Sequence, residues 1–159
     1  MAVIECFQHL PHVYLNFAGK DSRIMGDYLA PNFEKLTGEI STPALAHIGD
    51  AVFELMVRTY LCTSGTHTAK KLHSGTVAMV SAKAQAEAAE HILPLLTEDE
   101  FAVYKRGRNH HINQVPKGCT LQQYLCATGL ESLFGYLYIS GDTKRLNSLF
   151  ESIISKMEC

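Results

Sequence analysis

Asp50 and Glu131 are the residues of this chain best suited to chemistry, because each is a carboxylate set near a glycine inside an apolar, helix-like run. The first run reads Leu45-Ala46-His47-Ile48-Gly49-Asp50-Ala51-Val52-Phe53-Glu54. The second reads Ala127-Thr128-Gly129-Leu130-Glu131-Ser132-Leu133-Phe134-Gly135-Tyr136. A charge buried among core residues is costly unless it is paired or binds a metal. Two carboxylates that meet could hold a hard cation through oxygen; each could equally lie on a helix surface or pair with a buried lysine. Gly49 and Gly135 would let the two helices approach closely, at a cost in helix propensity that packing must offset. Glu54 lies one turn beyond Asp50 on the same face, where it could make an outer contact to a bound ion or simply be solvated.

The elements that must position these acids read as helices. Ser41-Thr42-Pro43 opens the first, a hydroxyl cap followed by proline in the first turn. Leu45, Ile48, Val52, Met56 and Tyr60, with Phe53 and Leu61, recur at helical spacing until Ser64-Gly65. A second helical stretch covers about 68–80, and Ser81 caps an alanine-rich helix that Pro94 ends. Thr97 with Glu100 forms a capping box. The helix it opens is expected to turn Phe101 and Tyr104 inward and to deliver Lys105-Arg106-Gly107-Arg108 at its end. Thr120 starts the second long helix, Gly141-Asp142 breaks it, and Leu146, Leu149, Phe150, Ile153 and Ile154 mark a last amphipathic helix. No strand pattern competes, and the expected fold is all-α.

Composition bounds the function without choosing it. A chain of 159 residues, 47% hydrophobic and 19% charged, suits one folded domain with a real core. No apolar run approaches the roughly 20 residues of a membrane helix, and Glu5, His9, Pro11 and His12 interrupt the apolar start, against a secretory signal. The five cysteines lack a Cys-x-x-Cys pair and read as free cytosolic thiols. A net charge of −2 counts against a nucleic-acid binder. The distribution of charge weakens that objection, since Lys70, Lys71, Lys83, Lys105, Arg106, Arg108 and Lys117 all lie mid-chain.

These residues carry a resemblance. Residues 45–61, Ser81-Ala82-Lys83-Ala84-Gln85-Ala86, Lys105-Arg106-Gly107-Arg108-Asn109 and residues 127–138 resemble, in order, Mini-ribonuclease III. This is the branch of the ribonuclease III family without a separate double-stranded-RNA-binding domain, and the similarity runs from about residue 42 to about 150. It implies a dimer-forming, helical, magnesium-dependent endonuclease for double-stranded RNA, acting in the cytoplasm on the precursor of 23S ribosomal RNA. A large-subunit ribosomal protein is a further candidate partner, and no membrane is involved.

On this resemblance Asp50 and Glu131 become the catalytic and metal-binding residues, Mg2+ the cofactor, and Lys105, Arg106, Arg108, Asn109 and Lys117 the RNA contacts. Full-length ribonuclease III carries two further acids, where this chain has Ala46 and Thr128; the Mini branch shares that reduction. His110-His111-Ile112-Asn113 and Leu125 replace more basic family residues. Residues 1–40 are expected to be an N-terminal extension and lead-in, dispensable up to residue 24, with 41–159 the catalytic domain.

Other readings compete. A non-catalytic RNA- or ribosome-binding module on the same fold would be favoured by loss of either acid, and both are present. A purely structural bundle leaves the embedded acids unexplained. The histidines lack a helical i, i+4 pair with a supporting acid, against zinc. His47, three residues before Asp50, is expected to be a buried, hydrogen-bonded core histidine; a histidine-aspartate phosphohydrolase would need further histidines, which are missing.

Overall fold

Polar side chains set the start of each helix in the computed structural model, which describes residues 29–31, 40–65, 68–110 and 117–157. Ser41 accepts from the Ala44 amide to open α1 (Thr42–Thr63). Thr68 and Ser81 do the same for α2 (Ala69–Val80) and α3 (Ala82–Ile92). A 3-10 turn, Leu93–Leu95, follows α3 at Pro94. Thr97 and Glu100 close a full capping box on α4 (Glu98–Arg108), and Thr120 with Gln123 forms a second on α5 (Leu121–Ser140). Gly141 ends α5 at a φ of 78°, the left-handed region that glycine adopts without strain. Asp142 then accepts from the Arg145 amide at 3.0 Å to begin α6 (Thr143–Met157). Among the described residues every regular element is helical. The expected extension at 1–24 lies outside them, as do His111, Ile112 and Asn113 of the altered loop.

Helix α5 is the axis of the fold and packs against α1, α3 and α4. It buries residues on nearly every side, from Cys126 and Ala127 to Leu137 and Ile139, as a helix enclosed by others must. Phe53 of α1 meets Phe134 of α5 edge-on at 5.3 Å and Phe150 of α6 at 5.9 Å. Such edge-to-face pairs add about 0.5–1.5 kcal/mol each beyond the area they bury.

α6 is fastened by polar contacts as well as by its apolar stripe. Arg145 donates to both carboxylate oxygens of Glu100, at 2.8 and 2.9 Å, and to the Leu95 carbonyl at 2.6 Å. Further along, His91 of α3 lies 3.0 Å from the Ser152 hydroxyl. Glu100 therefore both caps α4 and anchors α6. The Arg145 guanidinium holds its carboxyl below the usual carboxylate value, against the opposing effect of burial.

Two expected orientations are corrected. Phe101 does not point inward: it is 41% exposed, stacked on the buried Tyr104 and covered by the Lys105 ammonium at 5.7 Å. The buried stripe of α4 runs through Glu100, Val103, Tyr104 and Gly107, and Phe101 flanks it. His47 is exposed rather than a core histidine. The face of α1 that meets α5 runs through Leu45, Gly49 and Val52, which leaves His47 to one side, along a groove between α1 and α6.

Candidate active site

The acids meet where α1 crosses α5, and glycine makes the crossing possible. A Cβ on Gly49 would be driven into the carbonyl oxygen of Glu131 and would lie 2.7 Å from the Gly135 amide nitrogen. A Cβ on Gly135 would strike the Leu45 carbonyl. The two backbones thus touch directly, with no side chain between them. Asp50 follows Gly49, and the backbone that Gly49 touches is that of Glu131 itself, so backbone contact rather than any hydrogen bond sets their separation.

The two carboxylates face different surroundings. Asp50 is exposed, whereas Glu131 is partly buried on the central helix. Burial, and after it the negative charge of Asp50, pushes the Glu131 carboxyl up to about 7. The Gln85 amide, beside it on α3, acts the other way and favours the charged form. A carboxylate whose charged form is disfavoured by burial and a like-charged neighbour is a place where a divalent cation relieves both desolvation and repulsion. Magnesium takes one or two carboxylates and keeps several waters. This donor set, two oxygen ligands with one open to solvent, suits it. Among the described residues no group of three or more His, Cys, Asp or Glu side chains comes together. Ala46 is buried, and the Thr128 hydroxyl donates to its own helix at the Tyr124 carbonyl.

Glu54 has a partner of its own. Arg58, one turn on, donates through Nε to Glu54 Oε1 at 2.8 Å and pairs with the same oxygen through its second nitrogen. The pair is an i, i+4 contact on a partly exposed stretch of α1.

The basic residues gather at the end of α4. Lys105 and Arg106 are exposed, Arg108 is half-buried with its Nε 3.3 Å from Asn109 Oδ1, and Asn109 and Lys117 are exposed. Gly107, between the two arginines, packs against α5: a Cβ there would lie 2.7 Å from Ser132 Cβ and 2.8 Å from the Thr128 carbonyl oxygen. Ser132 is fully buried, its hydroxyl donating to Thr128 at 2.8 Å. The basic end of α4 therefore joins α5 within a turn of Glu131.

Sequence reasoning missed two residues here. Gly107 was legible only as part of a basic motif, although a glycine inside a helix with strong caps is itself a packing signal. Gln85 was one letter of a motif. A lone amide within the run Ala82, Ala84, Ala86, Ala88 and Ala89 was the available sign that it is enclosed.

Comparison with known proteins places the chain in a family. The ribonuclease III domain profile matches residues 43–142, which span α1 to the start of α6. The chain is 43% identical to a Mini-ribonuclease 3 of Thermoanaerobacter sp., over 80% of this chain and 92% of that protein. It is 38% identical to the Mini-ribonuclease 3 of Clostridium tetani, over 82% and 88%. A crystal structure of a Fusobacterium nucleatum protein superposes with a TM-score of 0.69 at 30% identity, covering 76% of this chain and 96% of that one. By the match of this domain over most of the chain and by these identities, the chain belongs to the ribonuclease III family, in its Mini-ribonuclease 3 branch, and is an endoribonuclease.

Proposed function

We propose that this endoribonuclease cuts double-stranded RNA with magnesium held between Asp50 and Glu131, as a homodimer, in the cytoplasmic maturation of the 23S ribosomal RNA precursor. The observation that carries the reading is the glycine-lined crossing of α1 and α5, which sets an exposed and a partly buried carboxylate together. Magnesium, when bound, lowers the pKa of a coordinated water and polarises the phosphate.

The residues of the chain do the rest. Asp50, open to solvent, faces the side from which a duplex arrives; Glu131, the more buried of the two, is pinned by the central helix. Glu131 must shed its proton to serve as a ligand, and its raised pKa makes that step sensitive to pH near neutrality. Lys105, Arg106, Arg108, Asn109 and Lys117 offer charge and hydrogen bonds without base-specific geometry. That is what an A-form duplex asks for, since it is recognised by shape through phosphates and 2′-hydroxyls.

One subunit has one acidic pair, and a symmetric pair of subunits would give each strand its own. The flank of α1 that faces the groove along α6 supports a second copy: Leu55 is 58% exposed there, beside Ile48, Ala51 and Met56.

The decisive experiment is cleavage of a plain RNA duplex with and without Mg2+. Cleavage by the wild type that Asp50→Asn abolishes, with duplex binding and melting temperature nearly unchanged, is the expected result. Metal-independent cleavage, or full activity in Asp50→Asn, would refute the assignment.

A further inference from the structure

Gln85 is 2% exposed, and its Nε2 finds no hydrogen-bond acceptor among the described residues. A buried donor left unpaired costs its full desolvation, so packing alone favours an apolar residue in that place. The surroundings make the amide harder to explain as structure: α3 is otherwise alanine-rich where it lies along α5, with Ala86, Ala88 and Ala89 buried. What the amide does lie beside is the carboxylate of Glu131. Donor and acceptor are thus neighbours in the interior, close enough for the amide to favour the charged carboxylate, though short of good hydrogen-bond geometry.

We propose that Gln85 is a positioning residue for the cation site: with a divalent cation bound, its Nε2 donates to the Glu131 carboxylate oxygen turned away from the ion and fixes the ligand's orientation. This rests on the reading of Asp50 and Glu131 as magnesium ligands. A ligating carboxylate with a free torsion loses orientational freedom on binding, and an enclosed donor on the neighbouring helix removes part of that loss beforehand. Gln85 touches neither RNA nor the reacting phosphate in this account; it acts through Glu131.

The test is Gln85→Met, which keeps the volume and removes the donor, studied in the full chain without RNA. Magnesium binding is measured by titration calorimetry for wild type, Gln85→Met and Asp50→Asn, and thermal melting is recorded without the ion. Melting of Gln85→Met at or above the wild-type temperature, with Mg2+ affinity about ten-fold or more weaker, is the expected pattern. A lowered melting temperature with affinity within about two-fold of wild type would mean that Gln85 is structural, and would overturn the proposal. A wild type whose Mg2+ binding is the same as that of Asp50→Asn would instead remove the metal-ligand reading, and the proposal with it. Should Gln85→Met fail to fold, the side-chain amide protons of Gln85 in the wild type decide, read by 15N NMR. A downfield shift and slowed exchange of one proton on adding Mg2+ supports the bond. An unmoved amide, while the backbone signals of Asp50 and Glu131 shift, refutes it.

Discussion

Gly107 of α4 stands against Ser132 of α5, the residue next to Glu131, with room for a hydrogen where a methyl group would need to go. The contact ties Arg106 and Arg108 to the helix that carries the buried acid, so the two halves of the site share one rigid junction. Gly107→Ala sets two effects against each other. Alanine gains about 1 kcal/mol of helix propensity, while overpacking costs about 1–3 kcal/mol. The opposing atoms include the Thr128 carbonyl, which belongs to a helix backbone and cannot turn aside, so a net loss of stability is expected. Cleavage rate should fall further than the melting shift explains, because the arginines move relative to Glu131; a rate that tracks stability alone would count against this.

Glycines in α1 and α2 should respond with opposite sign. Gly49→Ala drives a methyl into the Glu131 backbone and should cost several kcal/mol or prevent folding. At Gly75 the nearest obstacle is a Leu61 methyl, 3.2 Å from an added Cβ and at the end of a flexible side chain. Helix propensity should win there, and Gly75→Ala should melt at the wild-type temperature or a few degrees higher. Thermal denaturation of the two variants side by side checks both.

Stability without metal should be greatest in mildly acidic solution. The folded-state pKa of Glu131 is raised from 4.5 to about 7, so the stability it contributes is fully present below about 4.5 and lost as pH rises through about 7. Glu100 works in reverse: its value is lowered by Arg145, so its contribution is present above about 4.5 and lost as pH falls through the folded value. Melting curves in chelator from pH 3 to 9 should show both limbs. Glu131→Gln should flatten the upper limb and Glu100→Gln the lower one; an upper limb that survives Glu131→Gln would assign it to another group.

Salt dependence separates phosphate binding from structural roles. Arg106→Gln and Lys117→Gln should weaken duplex binding, and each should flatten the dependence of log affinity on log salt by roughly one unit for every phosphate left without its cation. Melting temperatures should stay within a degree or two, since both side chains are exposed. An unchanged slope in both variants would remove this segment from the RNA surface.

Local signals in the sequence carried much of the fold. Hydroxyl caps at Ser41, Thr68, Ser81, Thr97 and Thr120 mark where helices begin, because a side chain that satisfies a free amide does so a few residues away. The glycine pair at 49 and 135 was readable because glycine inside a helix is unfavourable without a compensating contact. Phe101 and His47 were misread because helical spacing gives the angle between residues but not which angle faces the neighbour. The Arg145 clasp on Glu100 and the place of Gln85 were out of reach, since each depends on which helices become adjacent, and no local pattern encodes that.

Helical proteins usually fold fast because most of their contacts are local. The α1–α5 crossing is an exception: α2, α3 and α4 lie between its partners in the chain, and that long loop must close before Gly49 can meet the backbone of Glu131. Synthesis runs from the N-terminus, so Asp50 emerges from the ribosome in a helix that has nothing yet to cross. The two acids become neighbours only after α5 has emerged. The pairing of Asp50 with Glu131 is therefore among the later events of folding, whatever order the helices between them take.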